Sequence, residues 1–253
     1  MGRDVNKGGQ GTAAPTRRAL LAGMGAALAA PAMTGRAWAR AGGARAEGAR
    51  GGGTPVDLAL VMAVDSSASI SKVMLDFQLR GHAAAFRDKA VHQALAGGPK
   101  GKVAVQLALF SGPGTLTTLV PWTLLAGTQD ALALADRIDE APGVAMGGNT
   151  ALGDCIVQAV RQLDACPYSA DRRTIDLVSN GFNNGGIDPR SARAHAQAAG
   201  VDVNGLVILD EYDWLEPYYR ENVVAGEDAF VITAANRHAF ADAFLSKLVR
   251  EVV

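Results

Sequence analysis

Val56-Asp57-Leu58-Ala59-Leu60-Val61-Met62-Ala63-Val64-Asp65-Ser66-Ser67-Ala68-Ser69 is an apolar run that stops at a carboxylate and passes into hydroxyls. From Leu58 no charge appears until Asp65, after which Ser67 and Ser69 continue the alternate positions. A run of this kind reads as a strand buried on both faces, delivering one carboxylate and two hydroxyl oxygens at its carboxyl end. Hard oxygens converging on one point suit a hard divalent cation such as Mg2+ better than they suit nucleophilic catalysis.

Working outward from this strand, residues 71–95 have helical spacing and stop at Gly97-Gly98-Pro99, and residues 102–110 form a second buried strand. Residues 115–123 follow a Gly-Pro-Gly turn and contain Pro121-Trp122, which suits a short antiparallel edge strand. Helices are expected at 129–140, 151–165, 189–199 and 237–251, and strands at 174–179, 201–209 and 229–233. The stretch from Asp210 to Tyr219, acidic and aromatic, reads as a solvated loop, with a partner-contact rim as the alternative. Apolar strands alternating with helices predict an α/β fold: a doubly wound, mostly parallel open sheet with helices on both faces and one short antiparallel edge strand. Ligands in such sheets bind outside the carboxyl ends of the strands, where the strand order reverses. Asp65, Thr150 and Asn180 all fall at positions of that kind.

The residues ahead of this domain have a different character. Arg17-Arg18 precede an Ala/Gly-rich apolar run to about Met33, and Ala37-Trp38-Ala39 supplies the small residues of a cleavage site after Ala39. The paired arginines resemble a twin-arginine export signal. The apolar run falls short of the roughly 20 residues that a spanning helix needs, so a cleaved signal over 1–39 is expected rather than a stable membrane anchor. Residues 40–55 read as a flexible linker and 56–253 as the folded domain, placed in the periplasm or secreted. The composition is that of a globular protein, 49% hydrophobic and 19% charged, and the net charge of -1 gives no bulk attraction to nucleic acid or anionic membrane.

Three spaced motifs together carry a family resemblance. Asp65-Ser66-Ser67-Ala68-Ser69 resembles the Asp-x-Ser-x-Ser of von Willebrand factor A-like domains, Gly147-Gly148-Asn149-Thr150 their threonine loop, and Ser179-Asn180-Gly181 the place where they usually have Asp-Gly. The resemblance covers residues 56–253 and is strongest to a bacterial exported group of unknown function, on Asn183-Asn184-Gly185-Gly186, Tyr218-Tyr219 and Ala229-Phe230-Val231. It implies a metal-ion-dependent adhesion site of Asp65, Ser67, Ser69, Thr150 and Asn180. By that resemblance Ser67, Ser69 and Thr150 would give hydroxyl oxygens to Mg2+ (or Mn2+), Asp65 would hold metal-bound water, and an acidic side chain of a protein partner would complete the shell.

Such a site binds and breaks no bond, so the expectation is a non-enzymatic interaction module. Asn180 replaces the usual Asp and removes one formal negative charge, which weakens metal affinity and leaves a metal-free scaffold as the alternative. A Mg2+-dependent hydrolase would need a second acid or base beside Asp65, and only Asp154 offers itself, at a place where it complements a helix N-terminus. Taken singly, each motif is also an ordinary helix cap or turn. His82, His92, His195 and His238 lack metal spacing. Cys155 and Cys166 flank a helix that holds their α-carbons roughly 16 Å apart, beyond the about 7 Å a disulfide tolerates. Two unpaired, buried thiols are expected.

Overall fold

The computed structural model describes residues 53–253, so the expected export signal, its cleavage point and most of the linker lie outside the described residues. The quoted stretch forms strand β1 (Pro55–Asp65), buried from Val56 to its last residue. Leu58, Leu60, Met62 and Val64 enter one core, and Ala59, Val61 and Ala63 the other. This is the period of two expected of a strand covered on both sides. β1 pairs in parallel with β2 (Val103–Phe110) and with β4 (Ser169–Ser179). Beyond β2 lies the antiparallel edge strand β3 (Leu116–Leu125), and beyond β4 the parallel strands β5 (Asp202–Ile208) and β6 (Val231–Ala234). The order β3-β2-β1-β4-β5-β6 reverses beside β1, which opens a crevice at the carboxyl ends of β1 and β4.

Helices α1 (Lys72–Arg87), α2 (Lys89–Gly97), α3 (Thr128–Glu140) and α7 (Phe240–Val252) close the first core. Helices α4 (Leu152–Asp164), α5 (Pro189–Ala198) and α6 (Leu215–Asn222) close the second. The doubly wound sheet and its antiparallel edge are as the sequence predicts. Among the described residues no helix is long and apolar enough to cross a membrane.

Four local expectations are corrected. The single helix over 71–95 is broken at Asp88, whose N–H closes α1 on the Ala85 carbonyl (3.0 Å) while its carboxylate caps Ala90 N–H of α2 (2.7 Å). An Asp side chain offers the backbone a cap in place of helical continuation, and here the cap wins. β4 begins at Ser169 rather than 174, because Pro55 to Ala59 of β1 pair with that polar lead-in, a register no hydropathy pattern reveals. Residues 215–222 of the expected loop are helical: Leu215 and Tyr219, four apart, are buried, and Glu216 and Arg220 form an i,i+4 ion pair outside. Cys155 is buried and free as expected, but Cys166, also free, is only half-buried just past the end of α4.

One charged group lies in the first core. Lys247 of α7 ion-pairs with Asp176 of β4 at 2.6 Å and with Glu251 one turn on, and all three are buried. Glu251 also accepts from the Asn204 amide (3.1 Å), whose carbonyl oxygen accepts Phe230 N–H (2.8 Å). Burial alone would lower the Lys247 pKa, but the two carboxylates outweigh it and hold the ammonium above its usual value. Burial pushes both carboxyls up against the pull of Lys247. Such a group ties α7 to β4 and β5 at a high desolvation cost, so its loss is asymmetric. Lys247→Met is expected to destabilise the fold by about 3–5 kcal/mol in urea denaturation, because it strands two buried carboxylates. Combining it with Asp176→Leu and Glu251→Met is expected to recover most of that loss.

Candidate metal site

Backbone hydrogen bonds bring the three motif loops together at the crevice. Where β1 ends, Ser66 N–H and Oγ–H both donate to the Phe110 carbonyl at the end of β2 (2.8 and 2.9 Å). The Ser66 carbonyl accepts from Met146 N–H (3.0 Å) and Gly147 N–H (3.1 Å), and Ala68 N–H donates to the Gly148 carbonyl (3.1 Å). Gly147 and Gly148 have φ of 69° and 78°, a left-handed pair that glycine adopts without a Cβ penalty. This sharp turn carries the threonine loop against the first motif. The third loop clamps it from the far side: Thr150 N–H donates to Asn184 Oδ1 (2.8 Å), and Asn184 N–H donates to the Thr150 carbonyl (3.0 Å).

All five candidate residues meet there. Asp65 Oδ1 accepts Ser67 N–H (2.8 Å) and Oδ2 accepts the Ser179 hydroxyl. Ser67 Oγ shares a hydrogen bond with Thr150 Oγ1 (2.9 Å) and lies 3.5 Å from Ser69 Oγ. Ser69 Oγ–H in turn donates to Asn180 Oδ1 (3.0 Å). Asp65, Ser67, Thr150 and Asn180 are buried and Ser69 is exposed, so solvent reaches the cluster from the Ser69 side.

Ser179, Asn184 and Tyr219, quoted above only as members of motifs, support the cluster directly. Ser179 anchors Asp65 and accepts Gly181 N–H (3.0 Å), and the Tyr219 hydroxyl donates to the Gly181 carbonyl (3.0 Å). Ser179 is visible as the strand-end hydroxyl before Asn180; Asn184 and Tyr219 act through tertiary contacts that no local spacing announces. Asp154 stands in the first turn of α4, the helix N-terminus expected for it, and its carboxylate also accepts Gly114 N–H (3.0 Å) and Ile187 N–H (2.7 Å), pinning two neighbouring loops.

The donor set consists of hydroxyl, amide and carboxylate oxygens, the chemistry a hard divalent cation takes. Among the described residues no group of three or more His, Cys, Asp or Glu side chains could hold a metal ion, so a cation here would rest on neutral oxygens and one carboxylate. Burial raises the Asp65 pKa, against the lowering effect of its Ser179 and Ser67 hydrogen bonds. The Cys155 thiol is pushed well up by burial, with Asp65 and Asp154 adding to the effect, so it is no nucleophile at neutral pH.

A parallel sheet of this order, with Asp-x-Ser-x-Ser at the end of its central strand and a threonine loop beside it, is von Willebrand factor A-like. Residues 55–253 match the family described as protein of unknown function (DUF1194), and the chain belongs to that family. No curated protein matches it in sequence. Similar solved structures include proximal thread matrix protein 1 from the mussel byssus with a zinc-occupied MIDAS motif, at 15% identity and a TM-score of 0.59 over 78% of this chain and 48% of that one. The von Willebrand factor type A protein from Catenulispora acidiphila is 17% identical with a TM-score of 0.53, over 78% and 43%. The pilus adhesin SpaC from Lactobacillus rhamnosus GG, in its open conformation, is 16% identical with a TM-score of 0.54, over 78% and 30%. This chain thus spans less than half the length of these neighbours.

A raised carboxyl pKa means that the folded state holds the Asp65 proton to higher pH than the unfolded chain does. Its contribution to stability is therefore largest in acid and falls as pH rises from the unfolded value near 4 through the folded one. Asp65→Asn is expected to remove this slope, so urea denaturation of the two proteins from pH 4 to 7 should show their stability difference changing steadily with pH. A constant difference would contradict the assignment of Asp65 as a buried, charge-strained carboxyl.

Proposed function

We propose that this protein is an exported, non-enzymatic interaction module that captures an acidic group of a protein partner through a Mg2+-type site. The observation that supports this reading is the convergence of Asp65, Ser67, Ser69, Thr150 and Asn180, drawn from three separate stretches, within hydrogen-bonding distance of one another at the sheet's switch point. Ser67, Ser69 and Thr150 would hold the cation, with Asp65 and Asn180 bonding to its water. The ion would supply an under-neutralised positive centre, because one carboxylate cannot balance a divalent charge. A carboxylate brought by the partner makes up the deficit. A mussel byssus protein with a zinc-occupied MIDAS motif among the similar structures supports divalent metal as the ligand class.

A second reading, a metal-free scaffold, draws on the hydroxyls satisfying one another: Ser67 with Thr150, and Ser69 with Asn180. It predicts partner binding that survives chelation. The hydrolase reading is disfavoured by Asp154, whose two oxygens are both engaged by backbone amides.

Charge decides between the first two readings. Asn180→Asp restores the missing carboxylate and is expected to tighten Mg2+ and Mn2+ binding at least about tenfold in calorimetry, roughly 1.4 kcal/mol. Ser67→Ala is expected to abolish binding in both backgrounds. Should neither the parent nor the Asn180→Asp protein take up metal, even with acetate present as a carboxylate probe, the scaffold reading stands and the metal reading falls.

A further inference from the structure

The acidic-aromatic stretch after β5 forms a second surface beside the hydroxyl cluster, made of different side chains. Tyr212 and Trp214 meet Phe182, which leaves β4 two residues beyond Asn180, with ring centroids 5.6 and 5.4 Å away. Tyr212 and Trp214 lie 5.3 Å apart, and Tyr218 of α6 adds a fourth ring at 6.0 Å from Trp214. Burial of Leu215 and Tyr219 roots this end of α6 in the second core, and Tyr218 is held by Asn183 N–H on its hydroxyl (3.2 Å). The rings are thus fixed in place, yet Trp214 is 43% exposed. A rigid aromatic cluster with one ring open to solvent is suited to contact with a partner.

The surrounding charge indicates the kind of partner. Glu211 and Asp213 alternate with Tyr212 and Trp214, are exposed, and form no ion pair among the described residues. Of the nearby bases, Arg220 pairs with Glu216 at 2.7 Å and Arg190 with Asn222 Oδ1 at 2.6 Å, while Arg237 meets the stretch through its backbone N–H on Asp210 Oδ1 at 3.3 Å. Elsewhere in the chain an aromatic ring is matched by its own cations, since the Arg250 guanidinium lies 3.9 Å and the Lys247 ammonium 5.3 Å from the Phe230 centroid. No such cation covers Trp214 or Tyr212 among the described residues. Ring faces carry negative potential, and unpaired carboxylates beside them add to it.

We propose that Phe182, Tyr212, Trp214 and Tyr218, with Glu211 and Asp213, form a docking site for an arginine or lysine side chain on a basic segment of a partner protein. The complementarity is cation on ring, with an ion pair to the flanking carboxylate. This surface does not depend on metal. It goes beyond the acidic-group capture described above and implies a partner that presents both signs of charge.

The test is a titration of the 15N-labelled full chain in EDTA with acetyl-Gly-Arg-Gly-Arg-Gly-amide, reading the Trp214 indole N–H resonance, which Trp214→Phe assigns. A saturable shift is expected with this peptide, and none with its glutamine counterpart. Glu211→Gln with Asp213→Asn, both exposed and safe for folding, should weaken binding about three- to tenfold, and added salt should weaken it further. Trp214→Ala should abolish the peptide-induced shifts of the backbone amides from Glu211 to Tyr218, followed in the same spectra, at an unchanged melting temperature. The proposal is overturned by the absence of a saturable shift, by equal response to the glutamine peptide, by affinity unchanged in the double variant, or by shifts that depend on protein concentration without peptide. Because EDTA is present throughout, failure of the metal reading leaves this result unaffected.

Discussion

The structure depends on a strand that is hydrogen-bonded on both sides and buried on both faces. β1 has no free edge and no wet face, so from Leu58 to Val64 its sequence is confined to apolar side chains: Ala59, Val61 and Ala63 toward the second core, Leu58, Leu60, Met62 and Val64 toward the first. This burial also fixes where the strand must become polar. A carboxylate at its last position leaves water entirely, and it is tolerated because a backbone N–H and a hydroxyl are fixed on its two oxygens. The site is therefore an outcome of how the central strand terminates, and its geometry is set by the same ladders that hold the sheet.

Most of the fold was legible because parallel strands in a two-layered cover are nearly wholly apolar, and β1, β2 and β5 show it. What escaped reading was governed by competition or by distance. Asp88 could have continued a helix or capped one, and spacing cannot weigh the two. The polar start of β4 is a strand only because β1 lies beside it. α6 carries just two buried side chains, too few to stand out from a loop rich in acids and rings. For the site, the residue types and their order were legible while the supports were not. Asn184 clamps Thr150, and Tyr219 anchors Gly181, from positions that become neighbours only once α4 and α6 have packed.

Two of the buried ionic features take opposite forms. In the first core, Lys247 is ion-paired with two carboxylates, one of which also accepts the Asn204 amide, a group that reads as a tether for α7. In the second, Asp65 is compensated by dipoles, a hydroxyl and a backbone amide, and no side-chain cation bonds to it among the described residues. The same chain buries an ion-paired carboxylate at Asp176, three residues before Ser179 on β4, yet gives the site carboxylate hydrogen-bond donors alone. That contrast marks the crevice as the place where charge is held in reserve.

The hydroxyl cluster carries one more implication. In the bond between Ser67 and Thr150 either oxygen can be the donor, and the hydrogens of Ser67, Ser69 and Thr150 turn about their C–O bonds at little cost. The lining therefore has no fixed polarity. Its hydrogens can point at one another, or rotate outward together so that every lone pair faces the centre, with no heavy atom displaced. A surface of this kind responds to charge as fast as a bond rotates, while the three loops hold the spacing of its oxygens.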